Sequence, residues 1–195
     1  MCIRDRDGLV NNAGYGLPGT FFNTGWEEQS AFLRVLYTAP IELVHRILPG
    51  MKERNFGRII NVASLAGIAP ASAGHTLYGS VKAGLIKFSE SINAEAAGEN
   101  LDIHCSALCP GFTYSEFHDV NGTREATKEM PKWLWMDAKP VVAAGIWAVE
   151  KGKPIHVSGG VNKTIAALSR VLPDPMARKI AGGQSKKFRN TGEDI

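Results

Sequence analysis

Three polar side chains whose types and spacing could transfer a proton lie between residues 64 and 82. Tyr78 and Lys82 are four residues apart in a segment of helical character, so both side chains project from the same face of the helix. An ammonium beside a phenol favours the phenolate, and we therefore expect Lys82 to lower the pKa of Tyr78 from about 10. A Ser64 hydroxyl that binds a substrate oxygen would hold it against a phenol able to donate or accept a proton.

This trio indicates proton transfer coupled to another step, because no histidine is placed as a base for nucleophilic catalysis. The five histidines are scattered without metal-ligand spacing and are interpreted as ordinary surface or core residues: His45, His75, His104, His118 and His156. The Tyr-x-x-x-Lys spacing by itself is weak, since a tyrosine and a lysine on a helix surface usually form a pair without function.

Strands that alternate with helices must position this trio. The predicted strands cover residues 7–14, 57–64, 103–108 and 154–158, and the predicted helices cover residues 26–52, 76–97 and 141–150. This order predicts parallel strands joined by right-handed crossovers, with helices on both faces of the sheet. The fold class is thus a doubly wound, three-layer α/β domain, and Ser64 falls at the carboxyl end of a strand, where such sheets bind ligands.

Local signals set several boundaries of these elements. Thr24 with Glu27 predicts a capping box for the first helix, Pro40 predicts a kink in it, and Pro49 predicts the end of its regular part. The apolar centre of residues 7–14 predicts a strand buried inside the sheet. Residues 112–137 are predicted to be an irregular insertion. Its Trp133 and Trp135 suggest either an apolar face toward a substrate or a locally packed aromatic pair.

Residues 14–19 fit the pattern G-x-G-x-x-G after a strand, which is the nominal dinucleotide fingerprint. We reject that interpretation because these glycines do not open a helix. The next strand also ends in Ala63-Ser64, without the acidic residue that would bind a ribose hydroxyl. The segment is interpreted as a glycine-rich loop.

Composition is that of a globular protein of 195 residues, and the net charge of +3 does not argue for nucleic-acid binding. The charge is uneven, with a net −1 over residues 1–162 and +4 over residues 163–195. Cys105 and Cys109 would be about 13 Å apart along a strand, too far for a disulfide. Reduced, buried thiols and the lack of a long apolar run predict a soluble, cytoplasmic protein without metal.

Four segments in order carry a resemblance to a known family: Asn11-Asn12-Ala13-Gly14, Ile60-Asn61-Val62-Ala63-Ser64, Tyr78-Gly79-Ser80-Val81-Lys82 and Cys109-Pro110-Gly111-Phe112-Thr113. Together they resemble the short-chain dehydrogenase/reductase family over residues 7 to about 160. The resemblance implies a Rossmann-type fold and an NAD(P)-dependent oxidoreductase. Its reaction would be hydride transfer between the nicotinamide and a carbonyl or alcohol substrate, with Ser64, Tyr78 and Lys82 as catalytic residues.

The resemblance also implies where a nicotinamide cofactor would bind, with NADP slightly favoured over NAD. The implied cofactor-binding residues are Asn12, Ala13, Gly14, Tyr78, Lys82, Pro110, Gly111, Thr113 and Ser115. Asn12 to Gly14 would approach the adenosine side, and Tyr78 and Lys82 would hold the nicotinamide ribose. The family usually has threonine where Ser115 stands, and the serine hydroxyl could keep a phosphate contact.

Two departures from the family pattern qualify the resemblance. Leu36 stands where a helix asparagine usually supports a water-mediated proton relay. The second departure is that the family's first strands and glycine-rich turn do not precede residue 7, which predicts an open apolar sheet edge. The resemblance thus divides the chain into a leader (1–6), the carboxyl-terminal two-thirds of the domain (7–160) and a basic amphipathic tail (161–195). We expect the 195-residue chain on its own to bind the cofactor weakly and to be inactive.

Two other functions remain open alongside the enzyme. One is a catalytically impaired relative that binds a nucleotide or a protein, which Leu36 would support. The other is a membrane-associated, lipid-type ketoreductase, suggested only by the basic tail and the two tryptophans. A tail helix that packs on its own domain, or on another copy in a homo-oligomer, is the commoner explanation of such a pattern.

Overall fold

Four parallel strands form the central sheet in the computed structural model, which describes residues 6–17, 19–71, 76–117 and 130–171. The strands are β1 (Gly8–Asn11), β2 (Gly57–Val62), β3 (Ile103–Cys109) and β6 (Ile155–Val157), and they lie in the order β1-β2-β3-β6. A second, two-stranded parallel sheet joins β4 (Thr113–Tyr114) to β5 (Met136–Asp137) within the predicted irregular segment.

Helices cover both faces of the central sheet. They are α1 (Trp26–Leu33), α2 (Ala39–Arg54), α3 (Thr76–Gly98), α4 (Ala138–Glu150) and α5 (Gly160–Val171). Val44 of α2 packs with Ile59 and Cys105 on one face, whereas Val141 of α4 packs with Ile60 on the other. Neighbouring strand residues point to opposite faces, and here both faces are buried. The predicted doubly wound α/β fold is confirmed.

The long first helix is interrupted differently from the prediction. A π-helical turn at Arg34–Thr38 separates α1 from α2, and Pro40 lies in the first turn of α2. The prediction that Pro49 ends the regular helix is wrong, because α2 continues to Arg54 and ends at the left-handed residue Asn55. The predicted capping box is also wrong: Gly25 is the N-cap, and the hydroxyl of Thr24 donates to the carbonyl of Thr20 at 2.8 Å.

β1 is an edge strand among the described residues, paired with β2 alone, and Val10 is 59% exposed. The prediction of a fully buried first strand is therefore wrong, whereas the predicted open apolar edge is confirmed for this part of the chain. No helix in the described ranges combines the length and apolar character needed to span a bilayer. Of the predicted tail, residues 161–171 lie in α5 and residues 172–195 lie outside the described ranges.

A buried amide network ties β1 and β2 to α3. The Nδ2 group of Asn11 donates to Oδ1 of Asn61 at 2.7 Å, and Nδ2 of Asn61 donates to the hydroxyl of Ser89 at 2.9 Å. Asn61 and Ser89 are fully buried. Because an unpaired buried amide is costly, these bonds fix how α3 sits over the sheet, and α3 carries Tyr78 and Lys82.

Candidate active site

Ser64 lies in extended backbone two residues after β2, at the carboxyl edge of the sheet, with φ −166° and ψ 156°. Its Oγ accepts a hydrogen bond from the N–H of Ala66 at 3.1 Å and so caps the short 3₁₀ turn Leu65–Gly67. The N–H of Leu65 donates to the carbonyl of Pro110 at 2.9 Å. The serine is therefore held between the ends of β2 and β3, as its place in the sequence predicts.

Gly67 sets the distance between this turn and α3. A Cβ atom at Gly67 would lie 2.6 Å from the carbonyl carbon of Lys82 and 2.7 Å from the backbone nitrogen of Ala83. Both atoms belong to the backbone of α3, which cannot rotate away as a side chain could. The absence of a side chain at Gly67 thus allows the Ser64 turn to lie directly on the helix that carries Tyr78 and Lys82.

We expect Gly67→Ala to destabilise the fold by about 1–3 kcal/mol, because the added methyl group pushes the 3₁₀ turn and α3 apart. Urea denaturation followed by circular dichroism measures the loss. Gly98→Ala, at the end of α3, is the matched control, since no atom lies within 4 Å of its added Cβ. Equal stability of the two variants would contradict the close packing of this turn on α3.

Tyr78 and Lys82 lie one turn apart on α3 and face the Ser64 turn. The Nζ of Lys82 donates to the carbonyl of Val62 at 2.7 Å and lies 5.6 Å from the centroid of the Tyr78 ring. Lys82 is only 6% exposed. Ser64 lies near enough to Tyr78 for its side chain to lower the pKa of the phenol. The structure thus brings the three predicted catalytic residues together, and their catalytic role stays a prediction.

Burial decides the protonation of both titratable groups. Burial raises the pKa of Tyr78, and the hydrogen bond from Ser64 only partly opposes that shift. The predicted lowering of this pKa by Lys82 is therefore wrong for this structure. Burial also lowers the pKa of Lys82 from 10.5 to about 8, partly offset by Cys109. In a low dielectric both groups favour their neutral forms.

Lys82 should make stability depend on pH in an alkaline window. Between pH 8 and 10.5, Lys82 is protonated in a larger fraction of the unfolded chains than of the folded chains. The contribution of Lys82 to the unfolding free energy should therefore rise with pH across this window, by up to about 3 kcal/mol. The measurement compares urea denaturation of the wild type and Lys82→Met at pH 7, 8, 9 and 10. A wild-type advantage that shrinks with rising pH would contradict the lowered pKa.

Apolar side chains surround the Tyr78 ring. Phe117 lies 6.1 Å away between ring centroids. Phe32, Leu36 and Val81 form the buried core of a cluster against which Tyr78 packs. Leu36 is 1% exposed, so the position where the family usually has an asparagine contributes apolar packing here. This surrounding accounts for the raised pKa of Tyr78.

The helix around Leu36 has an unusual hydrogen-bond pattern. The N–H of Ala39 bonds the carbonyl of Arg34, which is the five-residue spacing of a π-helix. Pro40 has no N–H, so it cannot supply the bond that an α-helix would direct to the carbonyl of Leu36. The backbone is thus distorted beside Tyr78 although the Leu36 side chain itself offers no polar group.

The residues implied in cofactor binding lie along the carboxyl edge of the sheet. Asn12, Ala13 and Gly14 follow β1 and are exposed. The buried ammonium of Lys82 has three N–H donors, and hydroxyl oxygens of a ribose are acceptors of suitable chemistry for them. Exposed backbone at Asn12–Gly14 together with a buried cation therefore fits the ribose and adenosine parts of a nicotinamide cofactor.

The loop after β3 carries the other implied cofactor residues. A Cβ at Gly111 would lie 2.5 Å from Oδ1 of Asn162, so this glycine permits close contact with α5. The Thr113 hydroxyl donates to the carbonyl of Gly111 at 3.1 Å, and Oγ of Ser115 accepts from the N–H of Phe117 at 3.4 Å. Phe117 links this loop to Tyr78, and the roles of Pro110, Gly111, Thr113 and Ser115 toward a cofactor stay predictions.

Other predicted features are structural. Trp135 stacks on Tyr114 at 4.8 Å between ring centroids, whereas Trp133 is 66% exposed. Cys105 and Cys109 are free, buried thiols, as predicted, and burial raises the pKa of each to about 12. In the ranges that the structure covers, no three His, Cys, Asp or Glu side chains come together as a metal site. His75 and His118 lie outside those ranges.

Sequence reasoning missed Gln29, a buried residue of α1 that lines a cleft together with Tyr78. A single glutamine in an amphipathic helix carries no motif that marks it. The signal available was weak: a polar side chain on the face that points inward beside Phe32.

A parallel sheet with helices on both faces, whose carboxyl edge gathers a serine, a tyrosine and a lysine, defines an α/β protein with a candidate ligand site at that edge. The model of one family, the short chain dehydrogenases, matches residues 4–126. The chain therefore belongs to the short-chain dehydrogenase/reductase family of oxidoreductases.

Relatives and solved structures agree with this membership. A ketoacyl reductase, HetN, of a Nostoc species is 31% identical to this chain. The matched region is 85% of this chain and 55% of the relative. Nodulation protein G of Rhizobium meliloti is 36% identical over 80% of this chain and 66% of its own. A short-chain dehydrogenase of Sphingobium yanoikuyae in complex with NADPH has the same fold, with a TM-score of 0.71, 21% identity and coverage of 88% and 68%. The chain thus spans between about half and two thirds of these relatives.

Proposed function

We propose that the protein is a nicotinamide-dependent oxidoreductase that interconverts a ketone and a secondary alcohol, with Tyr78 as the proton donor or acceptor. The observation that carries this proposal is the meeting of Ser64, Tyr78 and Lys82 at the carboxyl edge of β2.

Each side chain has a distinct task in this proposal. The Ser64 hydroxyl binds the carbonyl oxygen of the substrate, and the neighbouring Tyr78 phenol delivers a proton to that oxygen as negative charge develops on it. The Lys82 ammonium stabilises the phenolate that remains. When bound, the cofactor supplies the hydride to the carbonyl carbon. Lys82 and Tyr78 would hold its ribose, and Asn12–Gly14 would lie at its adenosine side.

A 3-oxoacyl compound is the substrate class that we favour. The relatives include a ketoacyl reductase, an acetoacetyl-CoA reductase of Shinella zoogloeoides and a 3-oxoacyl-[acyl-carrier-protein] reductase of Vibrio cholerae. The apolar surroundings of Tyr78 suit the hydrocarbon part of such a compound. We assign this substrate class to the present chain because of its similarity to these relatives and because of the apolar side chains around Tyr78.

NADP is favoured over NAD, since solved structures of the same fold hold NADPH or NADP. We further propose that residues 7–160 are the carboxyl-terminal two-thirds of the domain and that the 195-residue chain alone binds the cofactor weakly. Isothermal titration with NADPH and NADH tests this expectation. Micromolar affinity for either would contradict it.

The test of the function is ketone-dependent oxidation of NADPH, followed at 340 nm with ethyl acetoacetate. A version extended at its amino terminus by a relative's phosphate-binding βα units is used, because weak cofactor binding would otherwise hide turnover. We expect consumption of NADPH that requires the ketone. Tight NADPH binding without any turnover would instead support the second candidate, an impaired relative that binds nucleotide, which the apolar Leu36 favours.

A further inference from the structure

A narrow cleft opens beside Tyr78 on the side of α1. Its apolar lining comes from Leu17, Phe21, Phe32 and Leu77. Gln29 and Tyr78 also line the cleft, together with glycine and threonine residues of the same segments: Gly19, Thr20, Thr24 and Thr76. The open-sided space measures about 20 Å³, which is room for one group of the size of a water or a methyl. The side chain of Tyr78 therefore borders a small, mostly apolar space.

Gln29 braces the loop that forms the outer wall of this cleft. The side chain is 4% exposed, and its Nε2 donates to the carbonyl of Thr24 at 2.7 Å and to the carbonyl of Phe21 at 3.2 Å. The hydroxyl of Thr24 donates to the carbonyl of Thr20 at 2.8 Å, which closes the loop on itself. Two bonds from one buried amide thus fix the position of Phe21.

The side-chain amide of Gln29 is not needed to fill the protein interior. Oε1 of Gln29 is buried and has no hydrogen-bond partner, so the amide carries an unpaired acceptor. A leucine of similar size would remove that acceptor together with the two donors. The carbonyls of the exposed Phe21 and of the half-buried Thr24 could then bond to water. Loss of the amide should therefore free the loop without a comparable loss of global stability.

We propose that Gln29 is a positioning residue that holds Phe21 against the cleft, and that this cleft selects ketones with a methyl-sized substituent on the carbonyl carbon. The proposal rests on the proposed function, because it takes Tyr78 as the group that meets the substrate oxygen. It assigns acetoacetyl-type compounds, in which the ketone carries a methyl group, as the preferred 3-oxoacyl substrates. A longer chain on that carbon would collide with Phe21 or Phe32.

The experiment measures binding of two probes to the 195-residue chain without cofactor, by titration of protein NMR signals. Ethyl acetoacetate carries the methyl ketone, and ethyl 3-oxohexanoate carries a propyl group at the same position. For the wild type we expect about tenfold tighter binding of the acetoacetate, since one or two methylenes in a fixed pocket change affinity by that order. In Gln29→Leu and in Phe21→Ala the preference should fall to about twofold or less.

Glu28→Gln is the control, because Glu28 is an exposed neighbour of Gln29 on α1 and should keep the wild-type preference. Phe21→Ala guards against misfolding of the Gln29 variant, since Phe21 is 47% exposed and its loss should not affect folding. An unchanged preference in both variants would overturn the proposal, and so would equal or absent binding of the two probes by the wild type. The titration measures binding and no hydride transfer. A failure of the NADPH oxidation assay would therefore leave the binding preference intact, and a failure of the binding preference would leave the proposed reaction intact.

Discussion

Replacement of Tyr78 by phenylalanine should lower turnover by about 10²–10⁴-fold while cofactor binding changes little. The variant keeps the ring that packs against Phe117 and the apolar cluster around Leu36. It loses only the hydroxyl, whose pKa the nearby Ser64 side chain affects. The reacting oxygen would then have no acid within reach, because Ser64 alone is too weak a proton donor. The measurement is kcat for ketone reduction in the amino-terminally extended version, with NADPH binding measured in parallel.

Tyr114→Phe is the control for this experiment. Tyr114 is a 49% exposed tyrosine that stacks on Trp135, and its hydroxyl has no role in the proposed reaction. Its removal should leave kcat within about twofold of the wild type, as is usual for a surface change. Retention of wild-type turnover by Tyr78→Phe would refute the assignment of the proton donor.

Replacement of Lys82 by methionine should separate activity from stability. Turnover should fall by about 10²-fold or more, because the phenolate of Tyr78 loses the cation that stabilises it. Folding should be unaffected or improved near pH 7. The buried ammonium, whose pKa is lowered to about 8, is a cost that an apolar side chain of similar length removes. Steady-state kinetics test the loss of turnover, and urea denaturation of the same preparations tests the stability.

Lys87→Met provides the matched comparison on the same helix. The Lys87 side chain is 78% exposed and pairs with Glu90 three residues on. Exposed pairs of this kind contribute little, so this variant should match the wild type in both measurements. A Lys82→Met protein that is active, or that loses several kcal/mol of stability, would show that Lys82 is a structural rather than a functional residue.

Two features of the site could be predicted from the sequence, because they follow from the spacing of residues along a helix and from the order of strands and helices. Strand and helix alternation placed Ser64 at a carboxyl strand end, and the four-residue spacing placed Tyr78 and Lys82 on one face of α3. Helix α3 itself begins at Thr76 and ends at Gly98, as the stop signal indicated. These features are local consequences of backbone geometry, so a single sequence contains them.

The pKa of Tyr78 could not be predicted because it depends on burial by distant residues. Spacing along the helix indicated a nearby cation, which alone would lower the pKa. Leu36 and Phe117 reach the ring from other elements, and their desolvating effect reverses the direction. The role of Gln29 was hidden for the same reason, since its partners are backbone carbonyls whose positions no side-chain pattern reveals.

The predicted ends of helices were wrong where tertiary contacts override the local preference of a residue. Thr24 has the sequence of an N-cap, yet its hydroxyl bonds back to Thr20 and leaves Gly25 to begin α1. Pro49 is tolerated inside α2, which packs through Ile47 and Met51 on the sheet and gains more from that contact than it loses at the proline. Such outcomes depend on the packed sheet rather than on the residue at the boundary.

Transfer of deuterium tests the central claim most directly. The extended protein is mixed with NADPH that carries deuterium at both prochiral positions of nicotinamide carbon 4 and with ethyl acetoacetate, and the product is analysed by mass spectrometry. The account predicts deuterium at the new carbinol carbon, at a rate that Tyr78→Phe lowers about 10²–10⁴-fold and Tyr114→Phe does not. A deuterium-free product, or equal transfer by the wild type and Tyr78→Phe, would contradict it.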